Sequence, residues 1–354
     1  MKFCYTAVFS IEGLTRDSTQ GEKLLVVDSA VGLRAILTSQ PDSYTFDGDQ
    51  SLAVAGLMLR AIFNSEPTEP EFKQRVARAV EELRAAREKE FGGSPFLVVI
   101  CEGEVASFNP SHERDAEDFM ICFDGVDKSE IRARFRDKLN AVLLSVVSEA
   151  ESVIGVRRLT EPVVFFQEDG KPVYSYTHSV RGVGAFVSGP LDDSRVAAIG
   201  DMYRLLSANT TLQRVQRLII SSFETENDPL RSFLAAWSAF EIFVNKVFGA
   251  YEAEFFDNML EEGHPEVQRK YLKRIRDVMK DKYRLADKFA AVSFKLSPEM
   301  GDQDLKTVLQ VKNVRDELSH GESVDEATLP VKAIRDLASK YLRLHLEYKN
   351  RTGS

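Results

Sequence analysis

Apolar residues follow two different periods along this chain, and the change from one to the other divides it. Up to about residue 190, short apolar runs of strand length alternate with two longer helical patterns. The predicted strands cover 3–11, 23–28, 96–102, 118–124, 162–168, 172–179 and 182–188. Phe96-Leu97-Val98-Val99-Ile100-Cys101 is continuously apolar, the pattern of a central strand buried on both faces. Glu168-Asp169-Gly170-Lys171 separates two β-rich runs, and Asp-Gly there predicts a hairpin. A helix is predicted over 71–90, with Phe72, Val76, Ala79, Val80 and Leu83 on one face and Gly92-Gly93 ending it. A second is predicted over 128–150. Asp127 and Glu130 have the spacing of a capping box, and Ile131, Phe135, Leu139, Val142, Leu143 and Val146 form its apolar stripe.

Beyond the break at Ser188-Gly189-Pro190 the period is helical throughout. Helices are predicted over 192–206, 210–223, 230–249, 265–282, 284–293, 303–319 and 327–348. Asp228-Pro229, Gly263-His264-Pro265, the stretch from Pro298 to Gly301, and Gly321 lie in the breaks. Helix 230–249 is apolar nearly all round, which requires a place at the centre of a bundle. The expected fold is therefore a mixed α/β domain over 1–190 followed by an all-α domain over 191–350.

Length agrees with two domains, because 354 residues exceed what one ordinary core accommodates. No uninterrupted apolar run approaches the roughly eighteen residues that span a bilayer, so no membrane association is expected. The apolar start, Met1 to Ile11, is short and meets Glu12 without a small-residue cleavage site. It reads as a first strand rather than a signal peptide, and a cytoplasmic protein is expected. Cys4, Cys101 and Cys122 are far apart and each sits in an apolar run, as reduced, buried thiols do. No CxxC, HExxH, P-loop or EF-hand pattern occurs, and neither a cofactor nor a metal is expected. His112 lies among Glu113, Asp115, Glu117 and Asp118, which reads as an acidic loop. His178 and His345 read as structural or surface residues. The net charge of −9 is uneven. Residues 1–190 hold 21 Lys and Arg against 29 Asp and Glu, and residues 191–354 hold 25 against 26. The acidic first half argues against nonspecific nucleic-acid binding there.

Candidate chemistry concentrates in Val314-Arg315-Asp316-Glu317-Leu318-Ser319-His320-Gly321-Glu322. Arginine holds a phosphate through a fork of hydrogen bonds. Histidine moves protons near neutral pH. Of the five histidines, His320 alone has an arginine five positions upstream. The two lie about 140° apart on an ideal helix and do not face each other. Asp316 and His320 share a face at i,i+4, as do Arg315 and Ser319, so Asp316 is expected to orient His320. One histidine cannot conveniently act as base and acid on opposite sides of a phosphorus, whereas two copies from a homodimer can. The bland alternative is a helix-end histidine capping carbonyls, beside an arginine in a surface ion pair.

The sequence Arg-Asp-x-Leu-x-His-Gly-Glu, reached through a helix with Leu309, Val311 and Val314, resembles the signature of the HEPN superfamily. The upstream Phe233, Trp237, Ser238, Ala239, Phe240 and Glu241 resemble the "WSAxE" helix of Apea-like HEPN domains. The resemblance covers roughly 195–350 and leaves the N-terminal half unidentified. It implies a helical bundle of four to five helices, and a metal-independent endoribonuclease acting as a homodimer through the C-terminal domain. Arg315 and His320 would be its catalytic pair, with Asp316 following the arginine. The products would be a 2′,3′-cyclic phosphate and a 5′-hydroxyl. It also implies, by analogy, a bacterial antiphage or toxin effector whose N-terminal domain receives a trigger or partner. HEPN toxins paired with nucleotidyltransferase antitoxins carry tyrosine two places after the histidine. Glu322 stands there, so that mode of regulation does not carry over. Other HEPN domains are noncatalytic RNA- or partner-binding modules, which is the alternative reading.

Arg269, Lys270, Lys273, Arg274, Arg276, Lys280, Lys282, Arg284 and Lys288 are interleaved with Tyr271 and Tyr283. Arg269, Lys273, Arg276 and Lys280 recur at i, i+4, i+7 and i+11 and make a candidate RNA-phosphate track. A solvated helix face explains the same spacing. Glu241, in an otherwise apolar helix, is expected to need a partner, either a core arginine or a place beside the site.

Overall fold

The computed structural model describes residues 1–14, 22–38, 95–106, 128–150, 155–166, 172–176, 192–224, 227–259, 266–279, 282–321 and 324–353. It also describes Val153 and helical positions at 74–75, 77–78, 81–82 and 85. The predicted strands 118–124 and 182–188, most of the helix over 71–90 with its apolar stripe, and the Asp127 cap lie outside the described residues. So do Cys122, His112, His178, Lys280 and Glu322. The chain forms two compact units: Met1–Val142 with Glu149–Asp201, and Leu143–Ser148 with Met202–Ser354.

The first unit is built on an antiparallel sheet. Its strands are β1 (Lys2–Glu12), β2 (Lys23–Asp28), β3 (Leu33–Thr38), β4 (Phe96–Glu104), β5 (Gly155–Thr160), β6 (Val163–Phe166) and β7 (Pro172–Tyr176). They run in the order β2-β3-β4-β1-β6-β7, with β5 also paired to β1. β1 is the central strand, and most of both its faces is buried, with Thr6 and Ser10 beside Val8 on the second. Phe3, Tyr5, Ala7, Phe9 and Ile11 point one way and Val8 the other, and all are buried. All of Phe96–Cys101 in β4 is buried, as the continuous run predicts. β6 and β7 pair as a hairpin, Val163 opposite Tyr176, although the Asp-Gly turn itself lies outside the described residues.

β3 and β5 have no counterpart in the sequence pattern. β3 is short and contains Arg34 and Ala35; β5 contains Gly155, Arg157 and Arg158. Their pairing with β4 and with β1 makes them strands, and residue preference alone does not. Helix α1 (Lys128–Glu149) covers one sheet face, with the Phe135 ring 6.1 Å from both Phe3 and Tyr5. Each residue of its predicted stripe is buried. Val8, Ile36, Phe96, Val98 and Ile100 form a buried cluster on the other face. Cys4 and Cys101 are free thiols. Burial pushes both upward, chiefly by desolvating the thiolate.

The all-α part comprises α2 (Asp193–Ala208), α3 (Gln213–Ser221), α4 (Pro229–Met259), α5 (Glu266–Met279), α6 (Leu285–Leu296), α7 (Gly301–Ser319) and α8 (Val331–Thr352), with a 3-10 turn at Glu326–Thr328 before α8. α4 starts where Asp228 Oδ1 accepts from the Arg231 N–H at 2.7 Å and Pro229 takes the first helical position. It then runs ten residues beyond the predicted end. Gly249 is tolerated inside it because Tyr251 and Phe256 continue the buried face. By length and composition alone Pro229–Phe256 is long and apolar enough to cross a membrane. Here Phe233, Trp237, Phe240, Phe243, Val244 and Val247 are buried in the core, against α3, α6 and α8. Burying such a side chain contributes roughly 1.5–3 kcal/mol. Leu234 is an exception to the all-round burial expected for this helix, being exposed. Phe240 lies 5.1 Å from Phe289, and Phe289 lies 4.8 Å from Tyr341, so α4, α6 and α8 share one aromatic stack.

Candidate functional site

α7 carries the Arg315-to-His320 segment, and both of its ends are fixed. In its first turn Asp304 is buried and accepts from Tyr341 Oη at 2.6 Å and Lys340 Nζ at 2.7 Å, both on α8. Ser293 Oγ of α6 lies 2.7 Å from the same Tyr341 hydroxyl. Val308 and Val311 are buried below, and the negative charges of Asp302 and Asp304 suit the helix N-terminus.

At the other end His320 is the C-terminal cap. Its backbone N–H donates to the carbonyls of Asp316 at 3.0 Å and Glu317 at 3.2 Å. Gly321 follows at φ 76°, and its N–H donates to the Leu318 carbonyl at 3.2 Å. The chain turns there through the left-handed region that glycine adopts without penalty. The His320 backbone is thus held, while the residue itself is exposed at the helix end.

Asp316 uses both of its oxygens. Oδ1 accepts from Arg315 Nη1 at 3.1 Å and Oδ2 from Lys312 Nζ, one helical turn back. The Lys312 hydrogen bond first, and then that of Arg315, hold the Asp316 carboxyl below the usual carboxylate range, against the opposing effect of desolvation. The expected Asp316–His320 contact is absent. Asp316 orients Arg315 instead, because two cations offer it more than a ring that ends at the cap. Ser319 Oγ donates to the Arg315 carbonyl at 2.9 Å, which realises the shared i,i+4 face as a backbone contact. Arg315 is partly exposed, and its Nε and Nη2 groups have no protein partner among the described residues. The site therefore offers an oriented guanidinium with unused donors, and an exposed imidazole on the same helix end.

Arg269 and Lys273 on α5 are exposed, and Lys280 lies outside the described residues. Arg276 has a structural use: it pairs with Glu252 at 3.6 Å and lies over the Phe256 ring at 5.5 Å, tying α5 to α4. Tyr283 packs edge-on against Phe248 at 4.9 Å, whereas Tyr271 is exposed. Glu241 is half-buried, so no core arginine is needed to neutralise it. His345 is structural: buried in α8, it meets the Tyr251 hydroxyl through Nδ1 at 2.7 Å, and burial lowers it to about 4.

Sequence reasoning missed two residues. Lys312 was legible as an i,i+4 partner of Asp316. The buried anchor Asp304 was not, because its partners stand on α8, about forty residues later. No family model matches the chain, and no curated protein or solved structure matches it either. What fold and site define is a protein with a mixed α and β N-terminal part and an all-α C-terminal part that presents an Arg–Asp–His helix end.

Proposed function

We propose that this protein is a metal-independent endoribonuclease of HEPN type. The observation that carries the reading is the helix end itself: Arg315, held by Asp316 and with donors to spare, precedes an exposed His320 whose backbone is fixed by the Gly321 turn. The 2′-hydroxyl of the substrate attacks the adjacent phosphorus and loses its proton to one imidazole. The bond to the 5′-oxygen breaks, and that oxygen takes a proton from an imidazolium. A 2′,3′-cyclic phosphate and a 5′-hydroxyl result. Arg315 stabilises the charge that builds on the non-bridging oxygens. Because the two proton transfers occur on opposite sides of phosphorus, two His320 residues are required, and a homodimer through the C-terminal domain supplies them. The exposure of His320 supports this assignment. The biological setting, a cytoplasmic defence or toxin effector triggered through residues 1–190, rests on family analogy.

The test is cleavage of a mixed RNA pool in excess EDTA by wild type, Arg315→Ala and His320→Ala. Loss of cutting in both variants supports the reading. Full activity in His320→Ala sinks the assigned site. RNA binding without cutting by any form transfers support to a noncatalytic binding module.

A further inference from the structure

Among the described residues, α5 is an α-helix of the C-terminal unit with no buried residue. Its packed side consists of Leu272, Ile275, Arg276 and Met279, each half-buried, and Arg276 supplies the tie to Glu252 and Phe256. At 100° per residue Val267, Tyr271, Arg274 and Val278 fall within about 60° of one another, on a different side. Val267 is 78% exposed, Tyr271 65% and Val278 41%. Arg269 and Lys273 lie roughly opposite this strip. The strip therefore presents a phenol ring beside Arg274, with Lys270 on its flank, on a helix whose five Lys and Arg stand against only Glu266 and Asp277, in a chain whose net charge is −9.

A polyanion bearing flat apolar groups complements that surface. Single-stranded RNA is such a ligand, because its unpaired bases expose π-faces that stack on aromatic side chains while its phosphates meet cations. Duplex RNA hides those faces and gives Tyr271 nothing to stack on. A lipid surface fits poorly: Arg274 stands inside the apolar strip and interrupts the continuous apolar face an interfacial helix needs.

We infer that α5 is a single-stranded RNA arm, in which Tyr271 stacks one unpaired base and Lys270 and Arg274 contact the flanking phosphates. Lys270 pairs with Glu266 at 2.7 Å across an exposed turn, an ion pair weak enough for a phosphate to displace. The inference rests on the reading of the protein as one that acts on RNA. It assigns substrate selection to a helix separate from the one that carries Arg315 and His320.

The test uses the full chain with His320→Ala, to stop cleavage, and a short mixed-sequence oligoribonucleotide with 2-aminopurine at its centre, unpaired or annealed. Expected are binding about tenfold tighter to the unpaired strand and quenching of its fluorescence. Tyr271→Ala should weaken binding by about tenfold and abolish the quench, while Tyr271→Phe keeps both. Arg274→Ala should reduce the salt slope by about one. An unchanged quench in Tyr271→Ala, equal affinity for the duplex, or adsorption to phosphatidylserine vesicles without RNA binding each overturns the arm. Wild-type cleavage separates this inference from the catalytic reading. A chain that cuts RNA while Tyr271→Ala binds normally loses the arm alone. One that binds through Tyr271 but never cuts keeps the arm and loses the nuclease.

Discussion

Asp316 grips its own neighbour: Oδ1 accepts from Arg315 Nη1 at 3.1 Å while Oδ2 accepts from Lys312. The aspartate next to the arginine thus positions the guanidinium, while His320 stays exposed at the helix end. Asp316→Asn keeps the shape and removes the charge. It should lower cleavage by about tenfold, the worth of one charge-assisted hydrogen bond. The loss should run through Arg315, so adding Asp316→Asn to Arg315→Ala should cost little further. A full further loss in the double variant, measured as kcat/KM on one RNA, would give Asp316 a role beyond Arg315.

The grip should also outlast mild acid. Lys312 and then Arg315 lower the Asp316 carboxyl, so its ion pairing is complete above the ordinary carboxylate range and is lost only as pH falls through the depressed value. Carboxylate titration by NMR should show the Asp316 signal moving at lower pH than an unpaired aspartate, and moving upward in Lys312→Ala.

Arg315→Lys should not restore what Arg315→Ala loses. A lysine is a point charge and cannot span two phosphoryl oxygens while held by Asp316. Both variants are expected to reduce cleavage by about 100-fold or more, and steady-state rates on one RNA decide the matter.

The α7 anchor sets a stability prediction. Tyr341→Phe removes a donor from the buried Asp304 and a partner from Ser293, leaving Lys340 as the cation on that carboxylate. The expected cost is about 1–3 kcal/mol, read as a lower urea midpoint with an unchanged slope.

His345 makes the fold acid-sensitive. Burial first, and Lys349 second, lower it from 6.5 to about 4. The unfolded chain then binds the extra proton between those values, so stability is complete above the ordinary histidine pKa. It falls as pH drops from there toward 4, by about 3 kcal/mol at most. Thermal melts should show a lower Tm at pH 5 than at pH 7.5, and His345→Leu should flatten that difference while losing the Tyr251 hydrogen bond.

Where periodicity is long and one-sided, sequence and structure agree: α1 buries each residue of its predicted stripe, and α7 ends at Ser319 as its sequence predicts. Where an element is short or polar, they part. Arg157 and Arg158 conceal β5, which pairs with Val8–Glu12 of β1, the stretch beyond the one that β6 takes. The same holds at the site. Chain order alone places Arg315, Asp316 and His320 within two turns of one helix and puts Gly321 where the helix must stop. Asp316 turns to Lys312 and Arg315 within one turn of its own helix, a local choice, whereas tertiary contacts decided that Arg276 is spent on Glu252 and Phe256 and that Tyr271 faces solvent while Tyr283 does not. The reason is physical: helix periodicity is a local property encoded over a few residues, whereas a side chain's partner depends on free-energy differences between neighbours that are distant in sequence and meet only in the fold.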